Sequence, residues 1–218
     1  MNFLIMGLPG SGKGTQAEKI CAKYNLGHLS TGDMFRTVMK SDSELSKELA
    51  SFINKGMLVP DELTIRMLTE ELKNSKYSTG FLLDGFPRTI VQAQALDKML
   101  EEENKKLNAV ISLDLDEDII IERLVNRLVC SKCGHTFHKI FVKPKKDNIC
   151  DICNGDLIQR DDDKLEQIIK RMSVAKEQTL PVVDHYEVIG NVKTIHMTKE
   201  DSTGDVFCKI EKELYDFD

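Results

Sequence analysis

The sequence has 218 residues, of which 41% are hydrophobic and 30% charged, with 13 glycines and only 5 prolines. This composition is typical of a globular protein and excludes the collagen-like, coiled-coil and disordered classes. The net charge of −6 argues against a general nucleic-acid binder, because such proteins neutralise phosphates with lysine and arginine. Any phosphate binding should therefore be local.

Short apolar runs alternate with longer amphipathic stretches along the chain. The apolar runs predict buried strands over residues 3–6, 81–83, 109–115 and 192–196. Apolar residues at spacings of three and four predict helices over residues 14–24, 61–72, 89–103, 117–128 and 165–185. This alternation is typical of a parallel sheet covered by helices on both faces.

Two segments do not fit the alternation. Residues 31–59 have a helical pattern but add no strand, and residues 127–163 are rich in Cys, Gly, Lys and Asp. We interpret both as insertions into one core, which predicts a core of 1–29, 60–126 and 164–218 with insertions at 30–59 and 127–163. No apolar run approaches the roughly 20 residues of a membrane span, and the apolar start is too short for a secretory signal. We therefore expect a cytoplasmic protein with no membrane partner.

Residues 7–15, GLPGSGKGT, follow the first predicted strand and open the first predicted helix. In that context a Gly-x4-Gly-Lys segment predicts a phosphate-binding loop. Its glycines let backbone amides and the helix N-terminus approach phosphates, while Lys13 reaches the outer phosphates. The residue after the lysine is Gly14, and the hydroxyl comes one position later at Thr15. We therefore do not expect a hydroxyl to bind Mg²⁺ directly there.

The second insertion contains two Cys-x2-Cys pairs, Cys130 with Cys133 and Cys150 with Cys153. This spacing predicts a closed tetrahedral site of four thiolates, with zinc in a structural role. His135, His138 and Asp156 are nearby alternative ligands that four cysteines make unnecessary. Cys21 and Cys208 each lie alone in a helical pattern, which predicts that they pack as small apolar residues.

Two further motifs are STGDMFR at residues 30–36 and LDGFPRT at residues 83–89. With the phosphate loop and the cysteine insertion, they make the chain resemble the adenylate kinases nearly end to end, in the long bacterial form with a zinc-binding lid. The resemblance implies a P-loop three-layer α/β fold with a central parallel five-stranded sheet, a helical AMP-binding insertion and a small zinc-ribbon-like lid. It also implies a monomer that reversibly transfers the terminal phosphoryl group of Mg-ATP to AMP, giving two ADP and maintaining adenine nucleotide balance.

Asp84 ends a predicted strand, and a parallel sheet places such a carboxylate at the rim where ligands bind. Asp84 should organise Mg²⁺ or its waters, and Asp33 is the second acid, acting through water or serving as a helix N-cap. Transfer between two phosphates needs charge neutralisation rather than a strong base, which indicates a role for arginines. The residues predicted to act in catalysis are Lys13, Asp84, Arg88, Arg127, Arg160 and Arg171.

The resemblance assigns the remaining residues to two nucleotide sites. The predicted ATP-binding residues are Gly10, Ser11, Gly12, Lys13, Gly14, Thr15, Arg123, Arg127, Thr136, Phe137 and Lys199. The predicted AMP-binding residues are Thr31, Arg36, Met57, Leu58, Val59, Gly85, Phe86, Pro87, Arg88, Gln92, Arg160 and Arg171. The family also implies that Asp162 and Asp163 pair between hinge and lid.

Two alternatives remain open at this point. A kinase for UMP, CMP or another nucleoside monophosphate would share the phosphate site and differ in a few base contacts. A zinc-ribbon protein that binds nucleic acid through its Cys-x2-Cys pairs is the alternative from a different class. The phosphate loop, Asp84 and the acidic charge argue against the second.

Overall fold

The computed structural model describes residues 1–217, which form a three-layer α/β fold. The elements are, in chain order, β1 (Asn2–Gly7), α1 (Lys13–Tyr24), β2 (Gly27–Ser30), α2 (Thr31–Met39), α3 (Glu44–Ile53), α4 (Asp61–Leu72), β3 (Phe81–Asp84), α5 (Ile90–Glu102), β4 (Ala109–Asp114), α6 (Glu117–Val125), β5 (Arg127–Cys130), β6 (Thr136–His138), β7 (Leu157–Ile158), α7 (Leu165–Val174), α8 (Leu180–Ile189), β8 (Val192–His196) and α9 (Thr203–Glu213).

The central sheet has five parallel strands in the order β2-β3-β1-β4-β8. The predicted five-stranded parallel sheet is therefore confirmed. Its register sets Asp84 of β3 opposite both Ile5 of β1 and Ser30 of β2. The carboxyl ends of these three strands consequently meet at one edge, where the phosphate loop follows β1.

The three central strands, β1, β3 and β4, are buried on both faces because they are apolar on both sides. In β1, Phe3 and Ile5 belong to one core cluster, while Leu4 and Met6 belong to the cluster on the opposite face. This alternation is what the period of two in a strand dictates. Helices α1, α6, α7 and α9 contribute to the first cluster, and α5 and α8 to the second.

The predicted helix over 61–72 has the observed bounds Asp61–Leu72, but two other predictions were wrong at their ends. The helix predicted over 117–128 ends at Val125, and Arg127–Cys130 forms strand β5. The helix predicted over 165–185 is interrupted by a π-helical turn, Ala175–Thr179, and continues to Ile189. The apolar pattern also missed β2 and α9.

Each predicted insertion carries its own packing. Helices α2 and α3 pack around Phe35, Leu49, Val59 and Leu63. The segment from β5 to β7 forms an antiparallel three-stranded sheet in the order β6-β5-β7. Its small core contains Cys130, Phe137, Cys150 and Leu157. The division of the chain at residues 30, 60, 127 and 164 stays a prediction.

The two isolated cysteines have different environments. Cys21 is buried in the main core, as predicted, and burial raises its thiol pKa to about 12. Cys208 is exposed, so the prediction for it was wrong. Helix α9 turns Val206 and Ile210 inward, and a residue midway between them on a helix faces solvent. None of the helices within residues 1–217 is long and apolar enough to cross a membrane.

Candidate active site and metal centre

A cleft of about 780 Å³ opens at the carboxyl ends of β1, β2 and β3. The phosphate loop, the start of α2, the β3 motif and part of the cysteine insertion all border it. Every residue predicted from the sequence to bind ATP, AMP or Mg²⁺ lies in its lining. The fold thus brings these residues together from widely separated parts of the chain.

The phosphate loop has an open helix N-terminus. Gly10 and Gly12 have φ values of 89° and 96°, a left-handed conformation that favours glycine. Gly12 caps α1 without a side-chain hydrogen bond, so the first amides of the helix remain available to an anion. Ser11 Oγ is buried and has no hydrogen-bond partner among the residues that the structure describes.

Lys13 folds back on the loop that carries it. Its Nζ donates hydrogen bonds to the carbonyl oxygens of Gly7 and Leu8, each at 2.9 Å. Burial lowers the pKa of Lys13 to about 8, and the charges of Arg88 and Arg171 act in the same direction, while Asp84 opposes them. The site therefore weakens the binding of the Lys13 proton relative to an exposed lysine, and an arriving anion would reverse that effect.

Asp84 faces the start of α1. A Cβ atom added to Gly14 would lie 3.5 Å from Asp84 Oδ2, an ordinary contact distance that shows how near the carboxylate comes to the first turn of the helix. His28 Nε2 is 3.8 Å from the same oxygen. Sequence reasoning missed His28 because it lies in β2, the strand that the apolar pattern did not predict.

Asp33 and Arg36 form an ion pair at the start of α2, with Arg36 Nη2 2.6 Å from Asp33 Oδ1. Burial raises the pKa of Asp33, but the charge and hydrogen bond of Arg36 outweigh it and lower the pKa overall. The N-cap of α2 is Ser30, whose Oγ accepts from the Asp33 amide at 3.3 Å. Asp33 is therefore not the cap, and its carboxylate remains beside the cleft.

Two buried or nearly buried aspartates hold two of the predicted arginines. Arg127 donates to both oxygens of Asp163, from Nε at 2.8 Å and from Nη2 at 2.6 Å. Arg171 Nη1 lies 2.8 Å from Asp162 Oδ2 and 3.2 Å from Asp163 Oδ1. Because the Asp163 side chain is 0% exposed, these charge pairs are protected from solvent screening.

Two other arginines are less well compensated. Within residues 1–217, Arg160 Nε is buried with no hydrogen-bond partner. Burial, together with Arg127 and Arg36, lowers the pKa of Arg160 to about 9. Burial and Arg171 lower the pKa of Arg88 to about 10. Arg88 and Arg160 are thus buried positive charges with incomplete compensation, which anions would stabilise.

Hydrogen bonds fix both the backbone and the side chain of Arg88. Its amide donates to Gln92 Oε1 at 2.8 Å, and its carbonyl accepts from Thr179 Oγ1 at 3.2 Å. Its Nε donates to the Gly85 carbonyl at 2.8 Å, which also accepts from Thr31 Oγ1 at 2.8 Å. Thr179 lies in the π-helical turn and was not predicted, because no local motif indicates a contact with a residue 91 positions away.

The residues predicted to surround the base and ribose of ATP differ in their solvent exposure. Lys199 pairs with Glu122 at 3.0 Å. Phe137 is only 4% exposed and packs edge-on against His135, so its ring is largely enclosed in the insertion's own core. Phe141 also lines the cleft, is 59% exposed and stacks on His138. Sequence reasoning did not select Phe141, although it is the more open ring.

The four insertion cysteines converge as predicted. The sulfurs of Cys130 and Cys153 are 3.4 Å apart, those of Cys133 and Cys150 are 3.6 Å apart, and all four lie within 4.8 Å of one another. A tetrahedral ion with Zn–S bonds of about 2.3 Å requires sulfurs about 3.8 Å apart, which is near the separations of these two pairs.

One member of the group, Cys130, is in a setting that favours its thiolate, whereas its sulfur neighbours raise the pKa of Cys133. The Cys133 amide donates to Cys130 Sγ at 3.5 Å, and backbone donors lower the pKa of Cys130 to about 6. In the described chain, His135, His138 and Asp156 are not part of the group. His138 Nδ1 instead accepts from the amides of Ile140 and Phe141. Four cysteines are thus placed to bind a metal ion.

Comparison with known proteins agrees with this geometry. The model of the adenylate kinase family matches residues 5–191. Proteins named adenylate kinase from Bacillus cytotoxicus, Bacillus cereus and Bacillus mycoides are each 46% identical to this chain over 211 residues, which is 97% of both sequences. The chain therefore belongs to the adenylate kinase family, enzymes of phosphoryl transfer that involve AMP.

Proposed function

We propose that the protein reversibly transfers the terminal phosphoryl group of Mg-ATP to AMP, giving two ADP, and so maintains adenine nucleotide balance. The proposal rests on one observation: a single cleft contains a phosphate loop and a group of convergent cations. These cations are Lys13, Arg36, Arg88, Arg127, Arg160 and Arg171. A pair of bound nucleotides would bring the negative charge that such a group stabilises.

The phosphate loop is the proposed ATP side. The open amides of α1 and the Lys13 ammonium would bind the outer phosphates, with Lys13 leaving the carbonyls of Gly7 and Leu8. Arg123, Thr136, Phe137 and Lys199 are the proposed residues around its base and ribose. The open ring of Phe141 is an additional candidate for stacking on the base.

The arginines of the two motifs form the proposed AMP side. Arg36 and Arg88 would bind the AMP phosphate, since a guanidinium can donate two parallel hydrogen bonds to one phosphate. Thr31, the backbone of residues 57–59 and Gln92 would contact the base. A glutamine amide suits adenine, whose edge presents one donor and one acceptor.

The AMP phosphate is already a nucleophile, so the protein's part is alignment and charge stabilisation. Arg127, Arg160 and Arg171 would stabilise the charge that spreads over the transferred group. Asp162 and Asp163 hold two of these guanidiniums in the cleft. Closure of the cysteine insertion over the cleft would exclude water and suppress hydrolysis of ATP.

Two metal ions complete the proposal. Asp84 and Asp33 border the cleft and would hold Mg²⁺ through its waters, because Mg²⁺ needs few protein carboxylates. Bound Mg²⁺ would neutralise phosphate charge and polarise the transferred group. The four cysteines would hold structural zinc, since four thiolates leave no open coordination position. Thiols committed to metal rather than disulfides suit a reducing compartment, and we propose a cytoplasmic monomer.

The direct test is a coupled assay of ADP formation from ATP with AMP, CMP, UMP or GMP in the presence of Mg²⁺. ADP formation that depends on AMP and is selective for it is expected. Transfer only to another monophosphate would support the proposed phosphate site but refute adenine as the acceptor base. Absence of transfer to every acceptor would refute the proposed function.

Replacing a central cation should abolish transfer while leaving the fold intact. Lys13→Met and Arg88→Met should each lower kcat/KM for AMP by about 10³-fold to 10⁵-fold, the range an arginine contributes in such chemistry. Arg66→Met is the matched control, because Arg66 is exposed on α4 and does not line the cleft. Near-normal turnover in either cleft variant, with cooperative melting, would contradict the proposed roles.

The affinity for ATP should fall at alkaline pH because of Lys13. The free protein holds Lys13 at a pKa of about 8, whereas a bound triphosphate favours the ammonium and raises that pKa. Below pH 8 the charge is already present, and Kd should be flat. Above it, binding must take up a proton, so Kd should rise by up to about tenfold per pH unit. Calorimetric titrations between about pH 7 and 9.5 measure this; the same rise in Lys13→Met would exclude Lys13 as its source.

Loss of one cysteine should loosen the insertion before it affects the chemistry. Cys150 is fully buried in the insertion's core, so Cys150→Ser should lower both the bound zinc and the melting temperature, with activity largely kept at low temperature. A chelator should reproduce the effect in the unmodified protein. Cys208→Ser, an exposed thiol outside the group, is the control. Unchanged metal content and melting in Cys150→Ser would refute a structural metal site.

A further inference from the structure

The side-chain amide of Gln92 is held at both ends. Its Oε1 accepts from the backbone amide of Arg88 at 2.8 Å, and its Nε2 donates to Asp61 Oδ1 at 2.7 Å. A backbone amide can only donate, and an ionised carboxylate can only accept. Rotating the amide by 180° would therefore set donor against donor and acceptor against acceptor.

Burial makes this orientation costly to reverse. Gln92 is 2% exposed, yet it belongs to the lining of the cleft. When a buried polar group loses its hydrogen-bond partner, no water can take the partner's place, and the group is left unsatisfied. The two contacts therefore fix which end of the amide lies where, and they do so before any ligand binds.

The two contacts leave one donor and one acceptor free. Nε2 retains its second N–H, and Oε1 retains its second lone pair. Adenine presents an acceptor, N1, beside a donor, the 6-amino group, and so complements this order. Hypoxanthine has nearly the same shape but presents a donor at N1 beside a carbonyl oxygen, which is the opposite order.

We propose that Asp61 is a positioning residue that sets base selectivity by fixing the orientation of Gln92. The inference rests on the proposed function, in which Gln92 contacts the acceptor base. Asp61 is the first residue of α4, and Gln92 lies in the first turn of α5, which packs against α4. The carboxylate that orients Gln92 therefore belongs to a different helix from Gln92 itself. The favoured acceptor is a 6-aminopurine monophosphate over its 6-oxo counterpart.

Asp61→Asn is the informative variant because it keeps the shape but adds a donor. An asparagine can accept from Nε2 or donate to Oε1, so it no longer excludes the rotated amide at that end. The ratio of kcat/KM for AMP to kcat/KM for IMP should fall at least about tenfold, because a site that loses its hydrogen-bond order loses much of its discrimination. Asp61→Ala also frees Nε2 and should lower the ratio, which covers the case in which the asparagine variant folds poorly.

Glu62→Gln is the matched control. It removes a carboxylate from the same first turn of α4, and therefore makes the same change at the helix N-terminus, but Glu62 is exposed and does not contact Gln92. Its AMP-to-IMP ratio should stay at the unmodified value. An equal fall in this control would assign the effect to helix electrostatics and overturn the proposal.

A double variant tests whether Asp61 acts through Gln92. Gln92→Leu should by itself lower the AMP-to-IMP ratio, and adding Asp61→Asn to it should change the ratio no further. An unchanged ratio in Asp61→Asn, or an equal loss of activity with both acceptors, would overturn the role of Asp61 while leaving the proposed function intact. A normal ratio in Gln92→Leu would instead refute the assignment of Gln92 to the base.

Discussion

The arrangement of this protein depends on positive charge that is concentrated in a cleft and only partly neutralised by its own carboxylates. Six cations converge there, and burial together with mutual repulsion lowers the pKa of Lys13, Arg88 and Arg160. Such a cluster opposes folding unless other groups compensate it. Compensation is incomplete, because Arg160 Nε has no hydrogen-bond partner in the described part of the chain. The residual repulsion is what bound phosphates would relieve.

Asp163 supplies the most important compensation. Its buried carboxylate bonds Arg127, at the start of the cysteine insertion, and Arg171, on a core helix. One charge therefore stabilises two cations and also connects the insertion to the core. Removing one member of a buried charge pair leaves the other uncompensated, which typically costs about 3–5 kcal/mol. The base of the insertion is thus fixed by the same groups that are proposed to act on the phosphates.

Most of the sheet, and the grouping of the candidate site residues in one cleft, could be predicted from the sequence, for different reasons. Strands β1, β3 and β4 were visible because burial on both faces leaves continuous apolar runs. The edge strand β8 is less buried, and its run of VKTIH was also predicted as a strand. Strand β2 was not, because it has four residues and includes Gly27 and His28. Helix α6 was predicted too long because Leu128 continues its apolar spacing into β5. The loop and cysteine motifs were visible because their chemistry depends on local spacing.

Two residues that support the cleft lining were invisible to sequence reasoning because their contacts are distant along the chain. Asp61 is 31 residues from Gln92, and Thr179 is 91 residues from Arg88. Neither lies in a motif, and each acts on a neighbour rather than on a ligand. Their positions follow from the packing of α4, α5 and the π-helical turn, which no local pattern specifies.

Arg88 would connect the proposed recognition of the base to the proposed alignment of the phosphate. Its amide is bonded to the Gln92 side chain, its carbonyl to Thr179 and its guanidinium to Gly85. A base whose donor and acceptor match Gln92 leaves the hydrogen bond from the Arg88 amide to Gln92 undisturbed. A base with donor and acceptor exchanged must compete with the Arg88 amide for Gln92 Oε1. An error at the base would therefore displace the arginine that is proposed to position the phosphate. Because small displacements of reacting groups lower rates steeply, this connection would express selectivity in the rate of transfer as well as in binding.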